Sequence, residues 1–378
     1  MTTAPPITDA LITTAATDAA VKRLQVGAYR IPTEAPESDG TIEWDSTTVV
    51  VVEALAGEER GLGYAYADAS AAHLIEGTLA GVVEGRDAMA VPAAWLAMVR
   101  AVRNIGRPGI ASSAIAAVDV ALWDLKARLL GVSLATLLGQ VHDGVPLYGS
   151  GGFTSYGIER LQRQLADWTL AGIPRVKMKV GREPDRDPAR VAAARAAIGP
   201  DAELFVDANG AYERKQALAL AESFADEHVT WFEEPVSSDD LAGLRLLRDR
   251  APAGMAIAAG EYGYALEYFR RMLEAGAVDV LQADVTRCGG VTELLRVGAL
   301  CAAHEVPLSA HTAPSIHAHA CCAIAELAHV EYFHDHVRIE SALFDGVLAP
   351  TGGRLIPDLA RPGLGLELRR PDVDRHAL

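Results

Sequence analysis

The chain has 378 residues, of which 50% are hydrophobic and 22% are charged, an ordinary globular composition that excludes a disordered or collagen-like chain. Its 34 basic and 50 acidic residues give a net charge of −16, which argues against nonspecific binding to nucleic acid or to an anionic membrane. Four cysteines without a CxxC pair favour reduced thiols in a cytoplasmic protein over a disulfide scaffold or a zinc ribbon. We expect neither a signal peptide nor a transmembrane helix.

The first 140 residues predict a small α+β domain. Residues 1–20 are expected to form a loose leader. Alternating and β-branched residues predict strands at 21–31 and 41–55, separated by a proline-containing loop at 32–40. Apolar residues at helical spacing predict three helices, at 70–84, 92–105 and 111–130.

From residue 141 onward, short apolar runs alternate with longer amphipathic segments. The predicted strands lie at 146–149, 175–180, 204–207, 230–233, 255–261, 278–284, 306–311 and 330–333. Eight strands alternating with helices favour a TIM-type barrel over an open sheet. We therefore predict a barrel at 141–354 and a capping domain at 21–140, which residues 355–378 complete.

Acidic residues recur at the ends of the predicted strands, where a parallel barrel carries its catalytic groups. Three successive strands end in an acid, at Asp207, Glu233 and Glu261. One such acid is usually a helix cap, but three converging carboxylates repel one another unless a divalent cation lies between them. Oxygen ligands favour Mg2+, with Mn2+ as a substitute, and the lack of His or Cys disfavours zinc.

Basic groups lie at the ends of two other strands. Lys177 and Lys179 are two residues apart on the second strand, so both point to one side, here the barrel interior. Carboxylates or an anionic ligand must compensate such a pair; the alternative is two surface lysines on an edge strand. The sixth strand ends in Asp284 and the seventh in His311, and an Asp beside a His can raise its basicity. Glu340 follows the eighth strand.

Together these motifs resemble the enolase superfamily, most closely its mandelate racemase-like branch. The resemblance spans about residues 21–370. It is carried by Lys177-x-Lys179, Asp207-Ala208-Asn209, Glu233-Glu234-Pro235, Gly260-Glu261, Asp284 with Gly289-Gly290, His311 and Glu340, and by the segment 116–125. It implies a modified (β/α)7β TIM barrel with an N-terminal α+β capping domain, and a homo-oligomer.

The resemblance also assigns roles to these residues. Asp207, Glu233 and Glu261 would bind Mg2+, with Glu234 behind these ligands and Asn209 at the substrate. Lys179 would be one acid/base group, and His311, paired with Asp284, the other on the opposite face of the substrate. Lys177 would help to neutralise the substrate carboxylate, and Glu340 would hydrogen-bond it. Because Lys179 must be neutral to act as a base, we expect Lys177 and Mg2+ to lower its pKa.

The implied reaction is removal of the proton α to the carboxylate of a small-molecule substrate, which forms an enediolate. With a β-hydroxyl present, the His311 side can protonate the departing hydroxyl, so that an aldonate or aldarate gives a 2-keto-3-deoxy acid. Without a leaving group, the same two bases would racemise or epimerise a 2-hydroxy acid. We favour the acid-sugar dehydratase over the racemase. A noncatalytic homologue is a remote alternative, because the acid/base residues and all three carboxylates are intact.

Two further interpretations concern other parts of the sequence. The loop at 29–46 is expected to set specificity, with Arg30 as a clamp for a distal carboxylate and Trp44 as a further substrate contact. Several histidines, at 304, 311, 317, 319, 334 and 336, raise the alternative of a zinc hydrolase. The HxH pairs come late in the chain, however, and His317 and His319 would not share a helix face.

Overall fold

The described fold begins at the edge of the capping domain. A computed structural model describes residues 19–378 of the chain, so the expected loose leader falls almost wholly outside the described residues. Ala20 forms a β-bridge with Asp87, and Val21 exchanges two backbone hydrogen bonds with residues 85 and 86.

The capping domain contains a three-stranded antiparallel sheet followed by helices. Its strands, in spatial order, are β1 (Arg23–Ser38), β2 (Glu43–Ala56) and β3 (Glu59–Tyr66). The helices are α1 (Ser70–Leu74), α2 (Ala80–Val83), α3 (Val91–Ala101), α4 (Ile110–Leu129) and α5 (Leu134–Leu138), with a π-helical turn (Ile75–Leu79) between α1 and α2. The long helix predicted at 111–130 is therefore confirmed as α4, which is buried on nearly all sides.

Two features of the capping sheet differ from the sequence prediction. The predicted loop at 32–40 is wrong, because β1 continues to Ser38 with a register shift between Pro32 and Glu37. Prolines are tolerated there because β1 is an edge strand, where a missing N–H breaks no ladder. β3 was not predicted, because Gly61 and Gly63 interrupt its pattern. Both glycines are needed, since a Cβ on either would clash with the α4 backbone.

The barrel prediction is confirmed. The eight parallel strands are β4 (Val145–Gly151), β5 (Arg175–Lys179), β6 (Glu203–Asp207), β7 (Val229–Glu233), β8 (Ala256–Ala259), β9 (Val280–Ala283), β10 (Leu308–Ala310) and β11 (Leu327–Phe333). They pair in chain order, and β11 pairs with β4, which closes the sheet. Each strand is short and buried, as a parallel barrel strand with helices outside must be.

Helices surround the barrel, and the C-terminal tail returns to the cap. The helices are α6 (Ile158–Leu170), α7 (Asp187–Ile198), α8 (Arg214–Ala225), α9 (Leu241–Arg250), α10 (Leu266–Glu274), α11 (Val291–Ala303), α12 (Pro314–Ala320) and α13 (His334–Leu343). The tail contains β12 (Phe344–Asp345), β13 (Arg354–Leu355), β14 (Glu367–Leu368) and α14 (Arg370–Val373). Near its end, Ala377 bridges to Tyr29 on β1. The domain boundaries at residues 140 and 354 stay a prediction.

The barrel interior is filled below its mouth, and this filling places the polar groups above. Tyr148, Phe205 and Trp231 pack against one another inside the strands, with His329 beside them. The Trp231 indole N–H donates to Glu233 Oε2 at 2.9 Å, so the aromatic floor also orients a site carboxylate. Among residues 19–378, no helix combines the length and the apolarity that crossing a bilayer requires.

Candidate active site

Three carboxylates meet at the mouth of the barrel. Asp207 ends β6, Glu233 ends β7, and Glu261 follows β8 by two residues. All three are buried, and one oxygen of each lies within 4.8 Å of the others. Because β6, β7 and β8 are neighbours in a parallel sheet, their carboxyl ends bring these side chains together as predicted.

The chemistry of this group fits a divalent cation. Glu261 Oε2 is buried without a hydrogen-bond donor among the described residues, and so are Glu234 Oε1 and Asn209 Oδ1, from the segments that follow β7 and β6. The nearest partner of Glu261 Oε2 is His311 Nε2, 3.2 Å away but poorly directed for a hydrogen bond. Unsatisfied carboxylate and amide oxygens are the ligands that Mg2+ or Mn2+ prefers. Within residues 19–378, no histidine joins a group of three side chains that could share an ion, which disfavours the zinc hydrolase.

Lys177 and Lys179 face the barrel interior, as the two-residue spacing predicted. Lys177 is fully buried; its ammonium lies 2.6 Å from Glu233 Oε1 and 2.9 Å from Glu331 Oε1. Burial lowers the pKa of Lys177, but the carboxylates of Glu233 and Glu331 outweigh this effect and hold the pKa well above its usual range. Lys179 donates to Asp207 and lines the cavity at the mouth.

The pKa of Lys179 differs from our expectation. Burial and the neighbouring Lys177 lower its pKa, as predicted for Lys177, but the Asp207 carboxylate outweighs both and raises the pKa above its usual value. The predicted decrease in the pKa of Lys179 therefore requires another positive charge to engage the Asp207 carboxylate.

His311 and Asp284 form the predicted pair. His311 Nδ1 lies 2.9 Å from Asp284 Oδ2, which leaves Nε2 on the cavity side. Burial lowers the pKa of His311, but Glu261, Glu331 and the hydrogen bond to Asp284 together raise it above its ordinary value. An imidazole held in this way can donate a proton from Nε2.

Glu331, rather than Glu340, completes this cluster, so the placement of Glu340 is corrected. Glu340 lies on the second turn of α13, where its carboxylate accepts hydrogen bonds from Tyr64 OH at 2.6 Å and from Ser315 N at 3.2 Å. Burial raises the pKa of Glu340 to about 7. Because α13 begins directly after β11, it carries Glu340 away from the mouth.

Glu331 comes from the last barrel strand. Its Oε1 contacts Lys177, and its Oε2 accepts the Thr312 N–H at 3.0 Å and lies 3.6 Å from His311 Nε2. A sequence signal existed, because alternation along β11 places Glu331 on the same face as His329, inside the barrel. The sequence reasoning considered only residues at strand ends and therefore missed it.

A cavity of about 430 Å3 opens above these groups. From the barrel it is lined by Lys179, Asn209, Glu261, Tyr262, Asp284, Arg287, His311, Thr312, Phe333 and His336, and from the cap by Asp39, Ile42, Trp44, Ser46, Thr47, Thr48, Tyr66, Ala67 and Asp68. Sequence reasoning did not assign a role to Arg287 or Tyr66, because nothing in a local pattern marks them, and it considered His336 only as a candidate zinc ligand. The cap and the barrel thus form one cavity between them.

The two predicted cap residues have different placements. Trp44 lines the cavity, with its indole N–H donating to Glu37 Oε2 at 3.1 Å and its ring packed edge-on against Phe153. Arg30 is exposed on β1, opposite Thr48, and is not part of the cavity lining. The structure therefore does not place Arg30 in the cavity lining, where the predicted clamp would lie.

Comparison with protein families identifies this architecture. The enolase C-terminal domain-like family matches residues 160–373, and the mandelate racemase/muconate lactonizing enzyme N-terminal domain matches residues 20–139. The chain belongs to the mandelate racemase/muconate lactonizing enzyme family. The resemblance to the enolase superfamily is thereby confirmed.

Solved and curated members of this family cover nearly the whole chain. A mandelate racemase/muconate lactonizing enzyme-like protein from Rubrobacter xylanophilus is 60% identical, with a TM-score of 0.93 over 95% of this chain and 100% of that one. A racemase from Streptomyces coelicolor A3(2), solved with bound magnesium, is 30% identical with a TM-score of 0.89 over 95% and 100% of the two chains. The 3,6-anhydro-alpha-L-galactonate cycloisomerase of Streptomyces coelicolor is 33% identical over 92% of this chain and 97% of its own length.

Other curated relatives, 28% to 31% identical, are a galactarolactone cycloisomerase and acid-sugar dehydratases for talarate/galactarate, rhamnonate, arabinonate and galactonate. The homologues are thus dehydratases, racemases and cycloisomerases. These enzymes share the family but differ in reaction and in substrate.

Proposed function

We propose that this chain is a Mg2+-dependent acid-sugar dehydratase, which removes the proton α to a carboxylate and gives a 2-keto-3-deoxy acid through an enediolate. The observation that carries the proposal is one cavity lined by Lys179, the His311–Asp284 pair and Glu261, with Asp207 and Glu233 grouped around Glu261. The acid-sugar dehydratases among the relatives support the choice of reaction.

In this proposal Asp207, Glu233 and Glu261 hold the metal, with Mn2+ as a substitute for Mg2+. When bound, the cation supplies positive charge that stabilises the developing enediolate and offsets the Asp207 carboxylate. Glu234 is buried directly behind these ligands, and Asn209 lines the cavity at their edge. Asn209 donates its backbone N–H to Asp207 Oδ1 at 2.9 Å, so it also orients a ligand.

Lys179 is the base that we assign to the α-proton. Its amine lines the cavity and contacts Asp207, one of the proposed metal ligands, so it would be placed to take a proton from a substrate bound in this cavity. We expect the pKa of Lys179 to fall once Asp207 engages a cation, because the Asp207 charge is what raises it.

His311 is the acid that we assign to the departing hydroxyl. Asp284 fixes its tautomer through Nδ1, and Nε2 faces the cavity. His311 directly follows β10 and Lys179 ends β5, and three pairings around the closed barrel separate these strands. The two groups therefore approach a substrate from different sides. Lys177 and Glu331 lie beneath this cavity, where the fixed charge of Lys177 favours a substrate carboxylate and Glu331 holds Lys177 and Thr312 in place.

Racemisation or epimerisation of a 2-hydroxy acid is the second candidate. It is favoured by the presence of two proton-transfer groups in one cavity, and a racemase is among the solved relatives. On such a substrate Lys179 would remove the α-proton and His311 would return one to the other face.

The same proposal covers the partners of the enzyme, its assembly and its compartment. We propose a small carboxylate substrate as its partner, with no nucleic acid or membrane, and a homo-oligomeric assembly. The four cysteines are free buried thiols, which supports the cytoplasm as the compartment.

The proposal is tested by proton NMR in D2O, with Mg2+ present and a library of aldonic and aldaric acids. Water loss to a 2-keto-3-deoxy acid supports the dehydratase, whereas α-proton exchange with inversion and no water loss supports the racemase. The absence of both across the library would overturn the proposal.

Two variants test the assigned bases. We expect Lys179→Ala and His311→Asn each to lower turnover by roughly 100- to 10,000-fold, the range for lost acid/base catalysis. The exposed residues Lys215 and His304 supply the matched controls Lys215→Ala and His304→Asn, which should retain turnover. Near-normal turnover in either base variant would contradict the two-base mechanism.

A further inference from the structure

The two sides of the cavity carry different charges. We call the lining contributed by residues 39–68 the cap wall. On it lie the carboxylates of Asp39 and Asp68 and the hydroxyl groups of Ser46, Thr47 and Thr48. Among the described residues that form the cap wall, none is a lysine, an arginine or a histidine. This side of the cavity is therefore acidic and rich in hydroxyl groups.

The fixed cations of the lining are on the barrel side, where carboxylates already engage them. Lys179 donates to Asp207. Arg287 Nη1 lies 3.2 Å from Glu261 Oε1, and its Nε lies 3.6 Å from Asp284 Oδ2. These positive charges are thus committed to the end of the cavity that holds the proposed metal ligands and bases.

Two arginines around the cap wall are engaged by carboxylates, and a third is not part of the lining. Arg338 lies 2.5 Å from Asp335 Oδ1, and Arg182 lies 3.4 Å from Glu43 Oε2. Arg30 is exposed and is not part of the cavity lining. A second carboxylate on a bound substrate that reaches the cap wall would meet Asp39 and Asp68, because none of the described cap-wall residues is a lysine or an arginine.

The two cap-wall carboxylates can accept hydrogen bonds from substrate hydroxyl groups. Asp39 Oδ1 accepts hydrogen bonds from the backbone N–H groups of Thr41 and Ile42, at 2.6 and 2.8 Å. The other carboxylate oxygen, Oδ2, takes no part in these two bonds. Asp68 Oδ1 accepts a hydrogen bond from the Ser70 N–H at 2.9 Å, so only one of the two Asp68 oxygens is used in this bond. Ionised carboxylates only accept hydrogen bonds, so the remaining oxygens suit a hydroxyl and repel an anion.

We propose that the substrate is a polyhydroxylated monocarboxylate, an aldonate, whose carboxylate binds on the barrel side and whose hydroxylated tail lies along the cap wall. The site discriminates against the matching dicarboxylate, an aldarate, through Asp39 and Asp68. This inference rests on the proposed function, and it deepens it. The relatives do not decide the point, because by their names they include enzymes for both galactarate and galactonate.

The test compares pairs that differ only at the terminal carbon, such as galactonate with galactarate and gluconate with glucarate. With Mg2+ present, we expect kcat/KM for the aldonate to exceed that for its aldarate by about tenfold or more, because like charges brought together oppose binding. An aldarate used as well as or better than its aldonate, in the pair that is turned over fastest, would overturn the inference.

A binding measurement separates this inference from the proposed function. Calorimetric titration of the Mg2+-loaded Lys179→Ala variant with the same pairs reports binding without chemistry. Tighter binding of the aldonates, with no turnover by the unmodified enzyme, would support the inference and overturn the dehydratase. Equal or tighter binding of the aldarates would overturn the inference even if the enzyme dehydrates acid sugars.

Charge-neutralising variants test the cause. In Asp39→Asn/Asp68→Asn the accepting Oδ1 atoms are kept and two negative charges are lost, so we expect the aldarate-to-aldonate ratio of kcat/KM to rise by about threefold or more. Glu58→Gln/Glu76→Gln, at two exposed cap residues outside the lining, removes the same charge and should leave the ratio unchanged. An unchanged ratio in the cap-wall variant, or an equal rise in the control, would overturn the electrostatic discrimination.

Discussion

Charged residues that are fully buried in this site compensate one another. Lys177, Glu233 and Glu331 have no exposure to solvent, and the ammonium lies within 3 Å of an oxygen of each carboxylate. An uncompensated charge at such a depth costs several kcal/mol, so removing one partner disturbs the others. Glu331 has a second role in addition to its ion pair with Lys177, because it also accepts the Thr312 N–H and holds Thr312 beside His311.

The first prediction contrasts two buried glutamates. We expect Glu331→Gln to lower kcat by about 10- to 100-fold, as is usual when a residue that supports catalytic groups is changed. Glu340→Gln should keep kcat within about twofold and destabilise the fold by about 1 kcal/mol, because one buried hydrogen bond to Ser315 is lost. Steady-state kinetics and thermal unfolding of both variants check this. A kcat loss confined to Glu340→Gln would restore the sequence-based assignment.

At this scale the sequence predicted residues that stand at strand ends and missed those that meet only through the fold. Asp207, Glu233 and Glu261 follow a repeated local pattern, so their convergence could be inferred. Glu331 lies within a strand, and its importance depends on Lys177, 154 positions earlier by residue number. Arg287 lacked a recognisable partner for the same reason.

At the scale of elements, the β1–β2 hairpin closes one side of the cavity. Thr154, after β4, donates its N–H to Ser38 O at 2.8 Å and its hydroxyl to Asp39 O at 2.7 Å. Gly40, at the turn, lies so close to the carbonyl oxygens of Val180 and Ala208 that a Cβ would clash with both. Because these neighbours are backbone atoms, they cannot make room by changing a side-chain rotamer.

The second prediction follows from this close approach. Gly40→Ala should displace the hairpin from the barrel mouth and lower kcat/KM by about tenfold, because small misplacements of substrate-contacting groups are costly. Gly81→Ala, on an exposed face of α2 where a Cβ meets no atom within 4 Å, is the matched control and should leave kcat/KM unchanged. Equal kinetics for the two variants would show that the hairpin contact does not position the substrate.

The elements themselves were predictable to different degrees. The barrel strands are continuous apolar runs, and helix α4 has a strong apolar periodicity, so both were recognised. β3 was missed because glycine is not typical of strands. Gly61 and Gly63 are present because they allow close contact with α4. β1 was predicted too short because Pro32 and Pro36 normally end a strand, and only the sheet order reveals that they lie at an edge.

For the whole molecule, α4 joins the cap to the barrel. Asp119 on α4 accepts from Thr292 N at 2.9 Å and from Thr292 Oγ1 at 2.6 Å, and the Trp123 indole donates to the same hydroxyl. Trp95 on α3 donates to Gly289 O at 2.8 Å. Both domains also line the cavity. A change that separates the two domains would therefore also disrupt the site. The sequence predicted two domains but could not supply these contacts, which join residues about 170 to 190 positions apart.

The third prediction concerns the stability of the whole chain on metal binding. A ligand that binds the folded state raises Tm, so Mg2+ at about 100 times its Kd should raise Tm by roughly 3–6 °C. The net charge of −16 means that any salt could act by screening, so KCl at equal ionic strength must be compared. We expect the Mg2+ shift to disappear with EDTA and in Glu233→Gln, and to persist in Glu76→Gln, which removes an exposed acid. An equal shift with KCl or in Glu233→Gln would mean that Mg2+ acts on the acidic surface and not in the barrel.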